Sequence, residues 1–237
     1  MKKILITNDD GITSDGIVRL ARAAASFGEV WVVAPDGERS SMSHSITLHS
    51  AFELQESPFP VGGVHAYACT GTPGDCVRIG VLNVVPGKPD FVFSGINYGF
   101  NAASDLQYSA TVGAAMEGTF QGIQSIAFSE DVGDCHEVTD FYLKDVIREL
   151  TEKKPGHGKI WNVNFPGCSL EECQGILRDR TVSELCYYRD SYRQTMIAPG
   201  RYSCHVVGER DLRAEDGTDL RALYDNYVSI GSVRNLA

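Results

Sequence analysis

Ile4-Leu5-Ile6-Thr7 is an apolar and β-branched run, too short for a buried helix, and Asn8-Asp9-Asp10-Gly11 cuts it off. A run of that kind ended by turn-forming residues suits an inner strand of a parallel sheet. Two adjacent carboxylates, Asp9 and Asp10, then sit where the strand ends. Like charges at neighbouring positions repel, so a fold that keeps them together needs compensation, and a hard divalent cation bound through oxygen is one solution. An ordinary solvated turn, or an Asx cap for the next helix, is the other. The stretch by itself leaves both open.

The pattern then repeats. Ser14 to Phe27 carries Ile17, Leu20, Ala21 and Ala24 at helical spacing with Gly28 as a stop, and Val30 to Ala34 is a second buried strand. A polar loop, Pro35 to Ser45, leaves it. Ile46, Leu48, Phe52 and Leu54 keep one parity, as do Val64, Ala66 and Ala68, which predicts extended, half-exposed strands. Thr72, Pro73 and Asp75 together read as the N-cap, first turn and dipole-complementing acid of a helix. Phe91 to Ser94 is another buried strand, ended by Gly95 to Asn101. A helix over Thr111 to Gln121, a strand over Ser125 to Phe128, a helix over Val138 to Leu150 and a strand over Ile160 to Phe165 follow. This alternation predicts a doubly wound, mostly parallel α/β sheet in one domain over 1–237. From about Leu170 the texture changes. Tyr187, Tyr188, Tyr192 and Tyr202 fall in short strand-like pieces, and Asp219 to Ile230 reads as a helix and then a strand. The stretch 170–237 is expected to be a β-rich and helical appendage, either an arm for oligomer contacts or a segment packed on its own domain.

A net charge of −10 and a pI of about 5.0 argue against a partner such as a nucleic-acid polymer or an anionic membrane surface. They say nothing against small anions, because one cation or helix terminus reverses the local field. The seven cysteines are odd in number, irregular in spacing and without a CxxC pair, which fits reduced thiols better than a disulfide framework or a zinc site. No segment approaches the roughly 20 apolar residues of a membrane span, and the apolar run after Met1-Lys2-Lys3 is too short for a signal peptide. The expected location is the cytoplasm.

In an open α/β sheet, ligands bind beyond the carboxyl ends of the strands. Three such ends are polar here: Asn8-Asp9-Asp10, Glu38-Arg39-Ser40-Ser41 and Ser94-Gly95-Ile96-Asn97. They offer carboxylates, hydroxyls and an amide oxygen, the set that Mg²⁺, Mn²⁺ or Ca²⁺ accepts, without the His and Cys that favour zinc. Ser109 and Thr111 lead into a helix whose first N–H groups lack intrahelical partners, a ready phosphate site, although Ser109 could equally serve only as the cap. His44 is the one histidine placed where it could meet phosphate, with a packing role as the alternative. No GxGxxG follows the first strand, and GxxxxGK[ST], GxSxG and HExxH are all missing.

Thr7 to Ile12, Ala34-Pro35-Asp36 with Glu38-Arg39-Ser40, Ser43-His44-Ser45, Gly71-Thr72-Pro73 with Asp75, Ser94 to Asn97, and Tyr108-Ser109 with Thr111 to Ala115 closely resemble the survival protein SurE family. The resemblance runs on through Asn162-Val163-Asn164, Thr218-Asp219 and Tyr227 to Ile230, so it covers essentially the whole chain in order. It implies a Rossmann-like α/β fold with a C-terminal oligomerisation arm, in a homodimer or homotetramer. It also implies a metal-dependent 5′-nucleotidase acting on nucleoside 5′-monophosphates, with 3′-nucleotides and polyphosphate as further substrates in some members. The family's metal ligands fall on Asp9, Asp10, Ser40 and Asn97, one divalent cation per subunit, with Asp9 and Asp10 also the expected catalytic residues. Phosphate is expected to meet Asn97, Gly95, Ser109, Thr111 and His44. Ala103 and Ala110 depart from the pattern, standing where the family usually has glycine. A non-catalytic metal- or nucleotide-binding module and a phosphatase for a non-nucleotide ester are the competing readings.

Overall fold

β1 (Lys3–Thr7) has parallel neighbours on both sides, β2 (Glu29–Pro35) and β5 (Phe91–Tyr98), in the computed structural model, which describes residues 1–234. A strand buried on both faces sends alternate side chains into two cores. Ile4 and Ile6 join Ile17 and Leu20 of α1 (Asp15–Ala24) and Val146 and Ile147 of α4 (Glu137–Glu152). Leu5 points the other way, to Val77 of α2 (Pro73–Ile79) and Ala114 of α3 (Ala110–Phe120). Every residue of α3 from Ala110 to Gly118 is buried. A helix covered on all sides lies inside the molecule, and this one starts where the sheet's crevice opens.

The sheet is completed by β3 (Leu54–Glu56), β4 (His65–Cys69), β6 (Gln124–Glu130), β7 (Ile160–Phe165), β8 (Gly175–Arg180) and β11 (Tyr227–Val233). Its order is β3-β4-β2-β1-β5-β6-β7-β11-β8, parallel from β4 to β7, with β3 and β11 antiparallel to β4 and β7. The chain builds outward from β1 through β2 and β4, then returns to the other side of β1 for β5, β6 and β7. The crevice at that reversal lies between the carboxyl ends of the strands flanking β1, where such sheets bind ligands. Among the described residues no helix is long and apolar enough to cross a membrane, and all seven cysteines are free.

Two expectations change. Ile46 to Phe52 forms no strand; only Leu54–Glu56 pairs, with β4. The chain before it serves the start of α2: the Thr47 N–H and hydroxyl both donate to Asp75, at 3.0 and 2.6 Å, and the Thr72 hydroxyl donates to Ser45 O. Burial disfavours the Asp75 charge, yet the donors on Thr47 and Thr72 outweigh it and hold the carboxyl below its ordinary range. The second change concerns 170–237, of which 235–237 lie outside the described residues. This stretch divides in two. β8, α5 (Asp219–Tyr224) and β11 extend the central sheet and its cover, and only the hairpin of β9 (Tyr188–Ala198) and β10 (Arg201–Arg210) forms a sheet of its own. Period-2 patterning marks a strand, but not which sheet it joins.

Two contacts lend themselves to measurement. A Cβ on Gly16 of α1 would stand 2.1 Å from the Ile96 carbonyl oxygen of β5, so Gly16→Ala has to push α1 off the sheet. A loss of about 2 kcal/mol in urea unfolding is expected from such overpacking. Glu149 of α4 accepts two hydrogen bonds from Arg178 of β8, each 2.7 Å, and one from Lys153. Arg178 chiefly, helped by Lys153 and opposed by burial, lowers the Glu149 carboxyl from 4.5 to about 2. A depressed folded pKa stabilises fully above the unfolded value and is lost as pH falls through the folded one. Arg178→Ala is therefore expected to cost about 1 kcal/mol at neutral pH, given the exposure of the pair, with the difference from the native chain closing between pH 4.5 and 2.

Candidate active site

The loop after β1 is tied to the loop after β2. The Asn8 side-chain amide donates to Gly11 O and Ser14 Oγ at 2.9 and 2.8 Å, which holds the acidic turn closed. The Ile12 N–H donates to Pro35 O and the Arg39 N–H to Asp9 O, at 2.8 and 2.7 Å. Those two bonds bring Ser40 to the turn. Ser43 in turn donates to Gln107 O and Tyr108 O, each at 3.0 Å, so the same loop reaches the segment that enters α3.

Asp9, Ser40, Asn97 and Ser109 line one cleft of about 590 Å³ at the carboxyl edge of the sheet. Asp9 is 3% exposed, and its Oδ1 accepts from the Thr111 hydroxyl at 2.5 Å. Burial, opposed by that hydrogen bond and helped by the neighbouring Asp10 charge, raises the Asp9 carboxyl from 3.8 to about 7. Asn97 donates through Nδ2 to Gly99 O at 2.7 Å, which fixes its amide and leaves Oδ1 as an acceptor, 3.4 Å from the Thr111 hydroxyl oxygen. Ser109 is the N-cap of α3, accepting from the Val112 N–H at 3.0 Å. Capping uses its lone pair only, so the Ser109 proton stays free to meet an anion and the two roles expected of it are compatible.

The other expected site residues are placed differently. Asp10 follows Asp9 in the bend after β1 and faces an adjoining cavity of about 260 Å³, shared with Tyr98 and Glu130. Its pKa is raised by burial, against the Tyr98 N–H, with Glu38 and Glu130 adding to the rise. Thr111 is fully buried behind Asp9. Gly95 sits within β5 at φ +131°, where a Cβ would meet Phe128 O at 2.2 Å; close packing of β5 on β6 explains the glycine, and it does not line the cleft. The His44 Nε2–H donates to the Glu117 carboxylate of α3 at 2.9 Å, and His44 lies in a small pocket beside Ser109 and Gly113 instead of the main cleft. Ala110 opens α3 and is fully buried, and Ala103 has φ +53°, the left-handed region that glycine enters without cost.

Sequence reasoning missed the far wall. Tyr187, Tyr188, Tyr192, Asp190 and Arg210, from the hairpin and the residue before it, line the same cleft as Asp9. The tyrosine cluster was the available signal, but nothing local says that a remote hairpin folds back over the crevice. The floor was missed as well. Asn101 donates to Ser129 Oγ at 2.7 Å and to Asn164 Oδ1 at 2.8 Å, and its carbonyl accepts from Asn162 and Asn164. Asp219 accepts from the N–H groups of Ala103, Ser183 and Leu220. These side chains anchor the loop that leads from Asn97 to Ser109.

The donor set suits a hard cation. Among the described residues no group of three or more His, Cys, Asp or Glu side chains is gathered for a metal. What the strand ends offer is two carboxylates with neutral hydroxyl and amide oxygens, the chemistry of Mg²⁺, Mn²⁺ or Ca²⁺ and not of zinc.

The family model of survival protein SurE matches residues 4–186. The chain belongs to the SurE family. It is 37% identical over 239 residues to 5′-nucleotidase SurE of Mesorhizobium japonicum, covering 96% of this chain and 91% of that protein. It is 41% identical over 181 residues to 5′-nucleotidase SurE of Brucella anthropi, covering 73% and 68%. The crystal structure of SurE protein from Aquifex aeolicus superposes with a TM-score of 0.82 at 33% identity, over 98% of this chain and 93% of that one. The SurE match spans Asp9, Asp10, Ser40, Asn97, Ser109 and Thr111, whereas Tyr187 and the hairpin lie past its end.

A buried carboxylate next to another destabilises the fold around it. With chelator present, Asp9→Asn is therefore expected to raise Tm by about 4 °C for roughly 1–2 kcal/mol gained, since an amide oxygen still accepts from Thr111. Calorimetry in EDTA reads it, and a fall in Tm would contradict the electrostatic account.

Proposed function

We propose that this chain is a 5′-nucleotidase, hydrolysing nucleoside 5′-monophosphates to nucleoside and inorganic phosphate. The observation that carries the reading is the convergence of Asp9, Ser40, Asn97 and Ser109 on one cleft at the carboxyl edge of the sheet. The relatives named 5′-nucleotidase SurE, alike over most of their length, support it.

In this reading Asp9, Asp10, Ser40 and Asn97 would hold one divalent cation per subunit. When bound, a divalent cation supplies Lewis acidity, neutralising phosphate charge and acidifying water. Thr111 keeps Asp9 oriented through its hydroxyl. The Ser109 proton and the first N–H groups of α3 meet the phosphate oxygens, where an anion is favoured by unpaired donors. Gly95 and His44 act at one remove: Gly95 lets β5 approach β6, and His44 ties the loop after β2 to Glu117. Water attacks phosphorus, the bond to the nucleoside oxygen breaks, and that oxygen takes up a proton. The exposed Met196, Ile197, Tyr202 and Val206 of the hairpin, none of which lines the cleft, suit a homodimer or homotetramer contact, and the free cysteines suit a cytoplasmic setting.

Phosphate release from AMP and GMP with Mn²⁺ or Mg²⁺ tests the reading, and EDTA is expected to abolish it. Asp9→Asn is expected to lower kcat/KM by at least about 100-fold, the scale at which loss of one charged site group is felt. Metal-dependent turnover at the native rate in that variant would sink the assignment.

A further inference from the structure

The cleft has a second chemical character at its hairpin end. Tyr188 and Tyr192 leave 42% and 66% of their surface exposed there, a large aromatic area for a concave wall. The Arg210 guanidinium lies 5.0 Å over the ring of the buried Tyr187, and the Tyr187 hydroxyl, buried in that wall, has no hydrogen-bond partner. Asp190, between Tyr188 and Tyr192 on β9, lines the same cleft with Asp105 and Asp131. Arg210 answers only one of them, reaching Asp131 at 3.2 Å. Asp105 accepts from the Tyr188 N–H at 3.3 Å, and burial together with the Asp190 charge pushes its carboxyl above the ordinary value. The wall is thus aromatic, with three carboxylates against one guanidinium. Such a surface repels a second phosphate and welcomes a flat ring that carries N–H groups.

We propose that this end of the cleft is the nucleobase subsite, with Tyr188 and Tyr192 stacking the ring and Asp105 and Asp190 accepting hydrogen bonds from it. The inference rests on the 5′-nucleotidase reading and names its substrate class: monophosphates of bases with several N–H donors, guanine foremost. A cleft of about 590 Å³ falls in the range of small-molecule sites. Stacking is sequence-tolerant, so the carboxylates supply the selectivity. The stacking residues lie past residue 186, outside the stretch that the SurE family model matches. Base preference is therefore set by the C-terminal hairpin, outside the strand ends that form the phosphate site.

The test compares GMP with ribose 5-phosphate, which has the sugar and phosphate but no base. In Tyr188→Ala the ratio of kcat/KM for GMP to that for ribose 5-phosphate is expected to fall about tenfold, the loss of one stacking contact. Asp190→Asn is expected to lower the ratio for GMP more than that for UMP. Tyr192→Ala, at a more exposed position, repeats the measurement should Tyr188→Ala fold poorly. Unchanged ratios in all three variants would overturn the subsite. Binding of guanosine, followed by saturation-transfer NMR without metal, reads the subsite separately from turnover. If the native chain releases no phosphate from either ester, the 5′-nucleotidase reading fails. The subsite then stands if guanosine shows transfer to its purine protons that Tyr188→Ala removes, and falls if the native chain shows none.

Discussion

The hydrogen bond from the Thr111 hydroxyl to the Asp9 carboxylate joins the first residue pair past β1 to the start of α3, deep in the molecule where neither group is solvated. A carboxylate in that position is costly, and burial already raises its pKa to about 7. The fold holds it there because the elements on either side have no alternative seat. β1 is apolar on both faces and belongs in the middle of the sheet, and α3, buried from Ala110 to Gly118, belongs beneath it. Their ends meet at the crevice, and the one polar bond they share sets the direction of the carboxylate.

The loops over the crevice are then fastened by backbone groups more than by side-chain packing. Arg39 N–H to Asp9 O and Ser43 to the carbonyls of Gln107 and Tyr108 bind the loop after β2 to both its neighbours. Asn162, Asn164 and Asp219 sit far along the chain, yet they satisfy the backbone of the loop between Asn97 and Ser109. Buried N–H and C=O groups require partners, so these distant residues support the site without facing the cleft. Ala103 carries a cost in that loop, holding a left-handed conformation in which a side chain is disfavoured.

The cleft therefore has two parts of different origin. Its inner end is built from strand ends within the SurE-matched span, and its outer wall from Tyr188, Tyr192 and Arg210 on the hairpin. The inner part offers oxygens to a cation and N–H groups to an anion. The outer part offers rings and carboxylates to something flat and donor-bearing. Three of the chain's 31 acidic residues, Asp105, Asp131 and Asp190, stand in that outer wall, so local acidity takes part in choosing a ligand.

The strand-and-helix alternation, the Thr72 and Ser109 caps and the oxygen-rich strand ends were all legible in the residues, because each depends on chain neighbours within one turn or one strand. Asp9, Ser40, Asn97 and Ser109 could be nominated for the same reason. Parity and propensity do not report which sheet a strand joins or which loop closes over which crevice. Hence Ile46 to Phe52 keeps strand parity without pairing, β8 and β11 join the central sheet while the hairpin stands apart, and His44 contacts Glu117. Sequence alone determined a parallel α/β sheet with oxygen donors gathered at its carboxyl edge, since buried runs and polar breaks are local. Tertiary structure alone decided that Asp9 and Asp10 face different cavities and that a hairpin from past residue 187 walls the cleft, since both follow from contacts between segments far apart in the chain.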